Sequence, residues 1–148
     1  MTTTTAQTVQ VYQVFIKATP EAIWDAIIKP EFTERYFYKA RIENSADGHR
    51  SRGPDGSVWG DEPMYEFDPP RRLVHGWRSL YDPELADEEP SRVSWEIEPQ
   101  ESGYCLLTVT HDRLDGAPKT AESVAGVGWM MVLSGLKTLL ETGHALVP

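Results

Sequence analysis

The side chains with the types to do chemistry here are four histidines, one mid-strand glutamate, one cysteine and a set of tryptophans. The histidines are His49, His75, His111 and His144. None forms a His-x-x-x-His pair or stands beside a carboxylate at ligand spacing, so a metal would require His75 and His111 to meet across a sheet. No metal and no cofactor is expected. His111 has two readings: a buried, hydrogen-bonded side chain near a strand end, or a polar group on a cavity wall that orients a ligand or moves a proton. Glu66 sits between Tyr65 and Phe67. Facing inward, its carboxylate would have a raised pKa and general-base character. Facing outward, it would pair with Arg72 or Arg78. Glu66 and His111 are the candidates for acid–base catalysis. Cys105 has no basic cluster near it in sequence and reads as a small buried hydrophobe. Gly-x-Ser-x-Gly turns, phosphate loops and dinucleotide fingerprints are absent from the sequence.

Tryptophans give broad apolar walls with one N–H donor each. Trp77, Trp95, Trp129, Leu107, Val109, His111, Leu133 and Leu136 are the residues expected to line an interior binding space. Ordinary core packing uses the same residue types.

Elements must place these groups. The run from Gly126 to Gly143 reads as one long amphipathic helix, with Ala125, Trp129, Leu133, Leu136 and Leu140 on one face. Gly143 suits the left-handed position that ends it. Near the start, Val9, Val11, Gln13 and Phe15 alternate with Gln10, Tyr12, Val14 and Ile16; with apolar groups on both sides, this reads as a strand covered on at least part of both faces. Thr19, Pro20 and Glu21 form a helix start. Pro30 ends that helix and opens a second, short one.

The middle is cut by turn signals into strand-like runs near 38–43, 49–52, 60–67, 72–80, 91–98 and 104–112. The acidic stretch from Asp82 to Pro90 reads as a solvated loop, without the residue pattern of a calcium loop. The order is strand, two short helices, about six antiparallel strands and a long helix, an α+β class. A long helix over a curved sheet leaves room for a pocket.

Several of these segments resemble one superfamily. Ala18-Thr19-Pro20-Glu21-Ala22-Ile23-Trp24 looks like the opening of SRPBCC, or START-like (birch-pollen-allergen-like), proteins. Asp68-Pro69-Pro70-Arg71-Arg72-Leu73 is similar to their D-P-P-R-R-L segment. The end of the chain, Gly128-Trp129 through Leu136-Lys137-Thr138-Leu139-Leu140-Glu141-Thr142-Gly143, resembles the branch of heat-shock protein 90 ATPase activator homologues. The resemblance runs from Val9 to Gly143. It implies a helix-grip fold: a curved, seven-stranded antiparallel sheet wrapped around the C-terminal helix over a hydrophobic cavity, with two short helices after the first strand. The segment from Asn44 to Trp59 departs from the family pattern, so the cavity mouth is expected to differ there.

The domain reading is a frayed tail over 1–8 and one domain over 9–148. Net charge is −9, which argues against nucleic acid and anionic lipid surfaces. The single cysteine suits a reducing cytoplasm, and no run reaches the length of a membrane span. The first residues lack the regions of a signal peptide. The leading function is binding of a small hydrophobic molecule without turnover. The alternatives are a cyclase- or hydrolase-type enzyme and, as the resemblance implies, a co-chaperone that stimulates a heat-shock protein 90 ATPase. The partners considered are a small apolar molecule, a chaperone and a second copy of the chain.

Overall fold

The computed structural model describes residues 7–147. Most of the expected frayed tail, residues 1–6, lies outside the described residues, as does residue 148. The chain runs β1 (Gln10–Ile16), α1 (Pro20–Ile28), α2 (Pro30–Thr33), β2 (Arg41–Ser45), β3 (Gly48–Arg52), β4 (Val58–Glu62), β5 (Met64–Asp68), β6 (Arg72–Trp77), α3 (Pro83–Ala86), β7 (Ser91–Pro99), β8 (Cys105–Asp112), α4 (Pro118–Val124) and α5 (Val127–Thr142). One antiparallel sheet has the order β1-β8-β7-β6-β5, and a second has the order β2-β3-β4. The α+β helix-grip architecture is therefore present, with one strand more than expected. Pro63 accounts for the addition, because it cannot donate to a ladder and so splits the expected 60–67 run into β4 and β5. The β6 strand and its extension bridge the two sheets: Gly76 N–H donates to Pro63 O at 3.0 Å and Leu80 N–H to Trp59 O at 2.9 Å.

Side-chain alternation fixes which sheet face is covered. Val93, Trp95 and Ile97 of β7 and Leu107, Val109 and His111 of β8 point inward and are buried. Trp129, Leu133 and Leu136 of α5 join them in the core. The expectation that β1 is partly covered on both faces is corrected. Ile16 is buried, but Val11 and Phe15 are exposed, because no layer lies over the outer face of this edge strand. Phe15 rests edge-on against Tyr104 at 5.7 Å.

The α1 start is as the sequence dictates, with Thr19 Oγ1 accepting from Ala22 N–H at 3.1 Å. The long terminal helix is preceded by another. Residues Pro118–Val124 form α4, and the chain bends at Gly126 (φ 64°) before α5 begins. Nothing in α4 itself caps its amides. Glu88, from the acidic stretch, accepts from the N–H groups of Lys119 at 2.8 Å and Thr120 at 2.7 Å. That stretch is therefore not wholly a solvated loop: it holds α3, buries Leu85, and supplies a carboxylate to the positive end of α4. The α5 end matches expectation, with Gly143 at φ 79° and its N–H on Leu139 O at 2.8 Å. Among the described residues, no single helix is long and apolar enough to cross a membrane.

Candidate functional site

A cavity of about 350 Å³ lies between the β2-β3-β4 sheet and the first turns of α5. Its position follows from the way the elements diverge. Over the five-stranded sheet, α5 packs through Leu133 and Leu136 into the hydrophobic core. Towards its N-terminus, α5 passes the end of β6 and faces the smaller sheet. There the wall is built from Phe37, Trp77, Trp129 and Val132, with His49 and Ser51 from β3 and Trp59 and Gly60 from β4. Tyr38 and Tyr81 also border it. Tyr38 and Lys39 both have left-handed backbones, φ 52° and 62°. Such consecutive non-glycine residues carry local strain. The Tyr38 hydroxyl donates to Gly128 O at 3.0 Å, which ties this loop to the start of α5.

His49 of the wall and two histidines behind it, His75 and His111, form one buried polar cluster. His49 and His75 stack with ring centroids 3.9 Å apart and planes 4° from parallel. His75 Nδ1–H donates to Gly76 O at 2.8 Å, and its Nε2 accepts from the Trp95 indole N–H at 3.1 Å. His111 Nδ1 accepts from the Trp129 indole N–H at 3.1 Å, so Nε2 carries the hydrogen and donates to Ser91 Oγ at 2.8 Å. Ser91 passes its own hydrogen to Trp77 O at 3.3 Å. These partners fix one neutral tautomer for each ring. Burial holds the His75 pKa down at about 4 and that of His111 at about 3, with His75 adding to the depression at His111. Burial, then the neighbouring His75, holds His49 well below the ordinary histidine range. All three are uncharged at neutral pH.

The orientation of His49 is set from behind. Asn44 Nδ2–H donates to Ile27 O at 3.0 Å, which turns the amide oxygen towards His49 Nδ1 at 2.7 Å. Nδ1 therefore carries the hydrogen. Nε2 keeps its lone pair and has no hydrogen-bond partner among the described residues. Two donors in the wall residues, Trp77 Nε1 and Arg78 Nε, are buried without an acceptor among the described residues. Buried polar groups are rarely left unpaired, so this concentration around one space is informative.

Of the residues expected to line an interior space, Trp77 and Trp129 do. Trp95, Leu107, Val109, Leu133 and Leu136 are packed into the core instead, and His111 is fully buried behind Trp77 and Trp129. The two catalytic candidates do not converge. Glu66 is exposed on the outer face of β5, where Arg72 Nε donates to it at 2.9 Å, while His111 is enclosed with both ring nitrogens occupied. His75 and His111 do not form a metal pair, since indoles occupy an acceptor nitrogen of each. No group of three or more histidine, cysteine, aspartate or glutamate side chains arranged to hold a metal occurs among the described residues. Cys105 is buried and its thiol is pushed up by burial, as a packing residue would be.

Sequence reasoning missed His49. The available signal was its place inside the segment from Asn44 to Trp59 that departs from the family pattern. That segment forms the end of β2, all of β3 and the start of β4, and it supplies His49, Ser51 and Trp59 to the wall.

Comparison with known proteins agrees with this architecture. The family model described as "Activator of Hsp90 ATPase homolog 1-like protein" matches residues 17–141. No curated protein matches the chain. Among solved structures, protein MLL2253 from Mesorhizobium loti superposes with a TM-score of 0.71 at 24% identity, over 90% of this chain and 96% of that one. PFC0360w, an HSP90 activator from Plasmodium falciparum, gives 0.73 at 16% identity, over 91% and 97%. The Aha1 dimer from Colwellia psychrerythraea gives 0.69 at 18% identity, over 93% and 98%. At these identities the superpositions establish the fold.

Proposed function

This chain belongs to the Activator of Hsp90 ATPase homolog 1-like family, and on that premise we propose that it binds a small hydrophobic molecule in the cavity beside the first turns of α5. The observation that carries the reading is a hollow of about 350 Å³ walled by Phe37, Trp59, Trp77 and Trp129. Binding sites for small molecules have volumes of roughly 300 to 1,000 Å³ and are mostly apolar with a few placed polar groups. The hollow is only partly enclosed, so its apolar walls face water until a guest covers them. Filling it with an apolar ligand recovers contacts that the fold alone leaves unmade.

The experiment is a thermal-shift screen of the full chain against aromatic and aliphatic small molecules. A compound present at about a hundred times its Kd stabilises the folded state by about 2.7 kcal/mol, enough to raise Tm by several degrees. Stabilisation by bicyclic aromatics, and its loss on Val132→Trp, which fills the wall from α5, are the expected results. If no compound in the panel raises Tm, the reading fails.

A second reading rests on the family description itself: stimulation of an Hsp90 ATPase. Its surface would lie outside the cavity. An ATPase assay with this chain added separates the two, because Val132→Trp would leave such stimulation intact while removing ligand binding.

A further inference from the structure

We propose that the cavity selects a phenol-type ligand, an aromatic ring bearing a hydroxyl group whose O–H donates to Nε2 of His49. The inference rests on the ligand-binding reading above and adds the chemistry that would make binding selective.

His49 is 4% exposed, and its ring is constrained in two ways. One face is covered by His75 at 3.9 Å. Nδ1–H is committed to Asn44 Oδ1, which is itself held by the main chain of α1. The remaining polar atom, Nε2, is a lone-pair acceptor at the cavity wall. Gly60 marks the space beside it. A Cβ at Gly60 would sit 4.0 Å from His49 Nε2, 3.7 Å from Ser51 Cβ and 3.6 Å from Arg78 O, so glycine leaves room there that any other residue would begin to fill. An acceptor with no protein partner, facing an open space, is matched by a donor from the ligand. The acceptor is uncharged at neutral pH because burial and His75 disfavour the imidazolium, so it offers a lone pair and has no proton to give. An ionised carboxylate is acceptor-only and lacks the donor that such a nitrogen needs.

The rest of the wall sets the ligand's body. Trp77 lies 5.9 Å from His49 and 5.7 Å from Trp129, and Phe37 stands edge-on to Trp129 at 5.9 Å. Rings at these separations touch one another, so they form one continuous aromatic wall against which another ring packs by offset or edge-to-face contact. A planar aromatic with one hydroxyl matches both parts of the site. An aliphatic alcohol would meet the nitrogen but not the ring faces.

The test is calorimetric titration of the full chain with 2-naphthol, 2-methoxynaphthalene and 2-methylnaphthalene. The three share a ring system, and only the first can donate. The expected result is binding of all three, with 2-naphthol about tenfold tighter than either of the others. In His49→Phe the preference should vanish while the other two retain affinity. Should that variant fail to fold, Gly60→Ala places a methyl group beside Nε2 with only ordinary contacts to its other neighbours, and should reduce the preference severalfold. Equal affinities for the three compounds overturn this inference and leave the apolar-cavity reading standing. A preference that survives both substitutions also overturns it, since another group must then read the hydroxyl. Binding of none of the three overturns both readings.

Discussion

His111 illustrates how a single residue acquires its surroundings. It lies on the inward face of β8, in register with Val93, which pairs on its other side with His75. Alternation alone therefore buries both imidazoles on one side of the sheet. Burial of an imidazole is tolerable only with both nitrogens matched. For His111 the match is the Trp129 N–H on one side and Ser91 Oγ on the other. Substituting Ser91→Ala leaves the Nε2–H without an acceptor in a dry environment. Loss of about 1 to 3 kcal/mol of unfolding free energy is expected, measured by urea denaturation. A change within a few tenths of a kcal/mol would mean that Ser91 contributes little beyond volume. The inward placement of His111 was legible in the sequence, because period-two alternation with Leu107 and Val109 reports the face. The identity of its partners was not. Ser91 and Trp129 are far apart in sequence, and no local pattern links them.

Among the elements, α5 decides the shape of the interior. Its apolar spacing predicted a helix from Gly126 to Gly143, and the structure places α5 at Val127–Thr142. What the spacing could not show was where along its length the helix presses on the sheet and where it lifts away. Gly135 marks the tightest approach on the side of the α2 loop. A Cβ there would come within 3.1 Å of Tyr36 Cβ and 3.3 Å of Tyr36 O. Tyr36 cannot readily retreat, because its hydroxyl donates to Ala26 O at 2.7 Å inside the core. Alanine would gain about 1 kcal/mol of helix propensity over glycine, yet overpacking of this kind costs about 1 to 3 kcal/mol. Gly135→Ala should therefore lower stability by about 1 kcal/mol, measured by chemical denaturation, whereas a stabilised variant would show that the loop can shift. Helix α4 escaped the sequence reading for a related reason. It has no side-chain cap of its own, and its amides are met by Glu88 from a distant segment. A cap contributed across the fold leaves no local signature.

At the scale of the whole molecule, the three buried imidazoles couple folding to pH. Each has a folded-state pKa below its unfolded value near 6.5, so the unfolded chain binds more protons as pH falls. Their contribution is fully present above about pH 6.5. It declines as pH falls from there towards the folded values, about 4 for His75 and about 3 for His111. In that window each histidine removes about 1.4 kcal/mol per pH unit. Unfolding near pH 5 should take up close to three protons, seen as a steep fall in stability between pH 6 and pH 4.5, before the lowered carboxylates of Asp112 and Glu141 add their own loss at more acidic pH. A flat profile down to pH 4.5 would contradict the buried, neutral cluster. Global architecture was the most legible level, since strand alternation, capping residues and the terminal helix all pointed to one helix over a curved sheet. The cavity was foreseen as a consequence of that arrangement, but it lies against the smaller sheet and not over the centre of the larger one. Its polar determinant, His49, sits in the segment whose sequence fits the family pattern least.

The central claim is that this cavity takes an apolar aromatic guest, and the tryptophan side chains provide internal reporters of it. Trp59, Trp77 and Trp129 line the cavity, whereas Trp24 packs against Phe67 away from it. Titrating 2-naphthol into the nitrogen-15-labelled protein and following the indole N–H resonances tests the claim residue by residue. Saturable shifts of the Trp59, Trp77 and Trp129 signals with the Trp24 signal unmoved are the expected result. Signals that stay fixed throughout, or a Trp24 shift as large as the rest, would contradict the account.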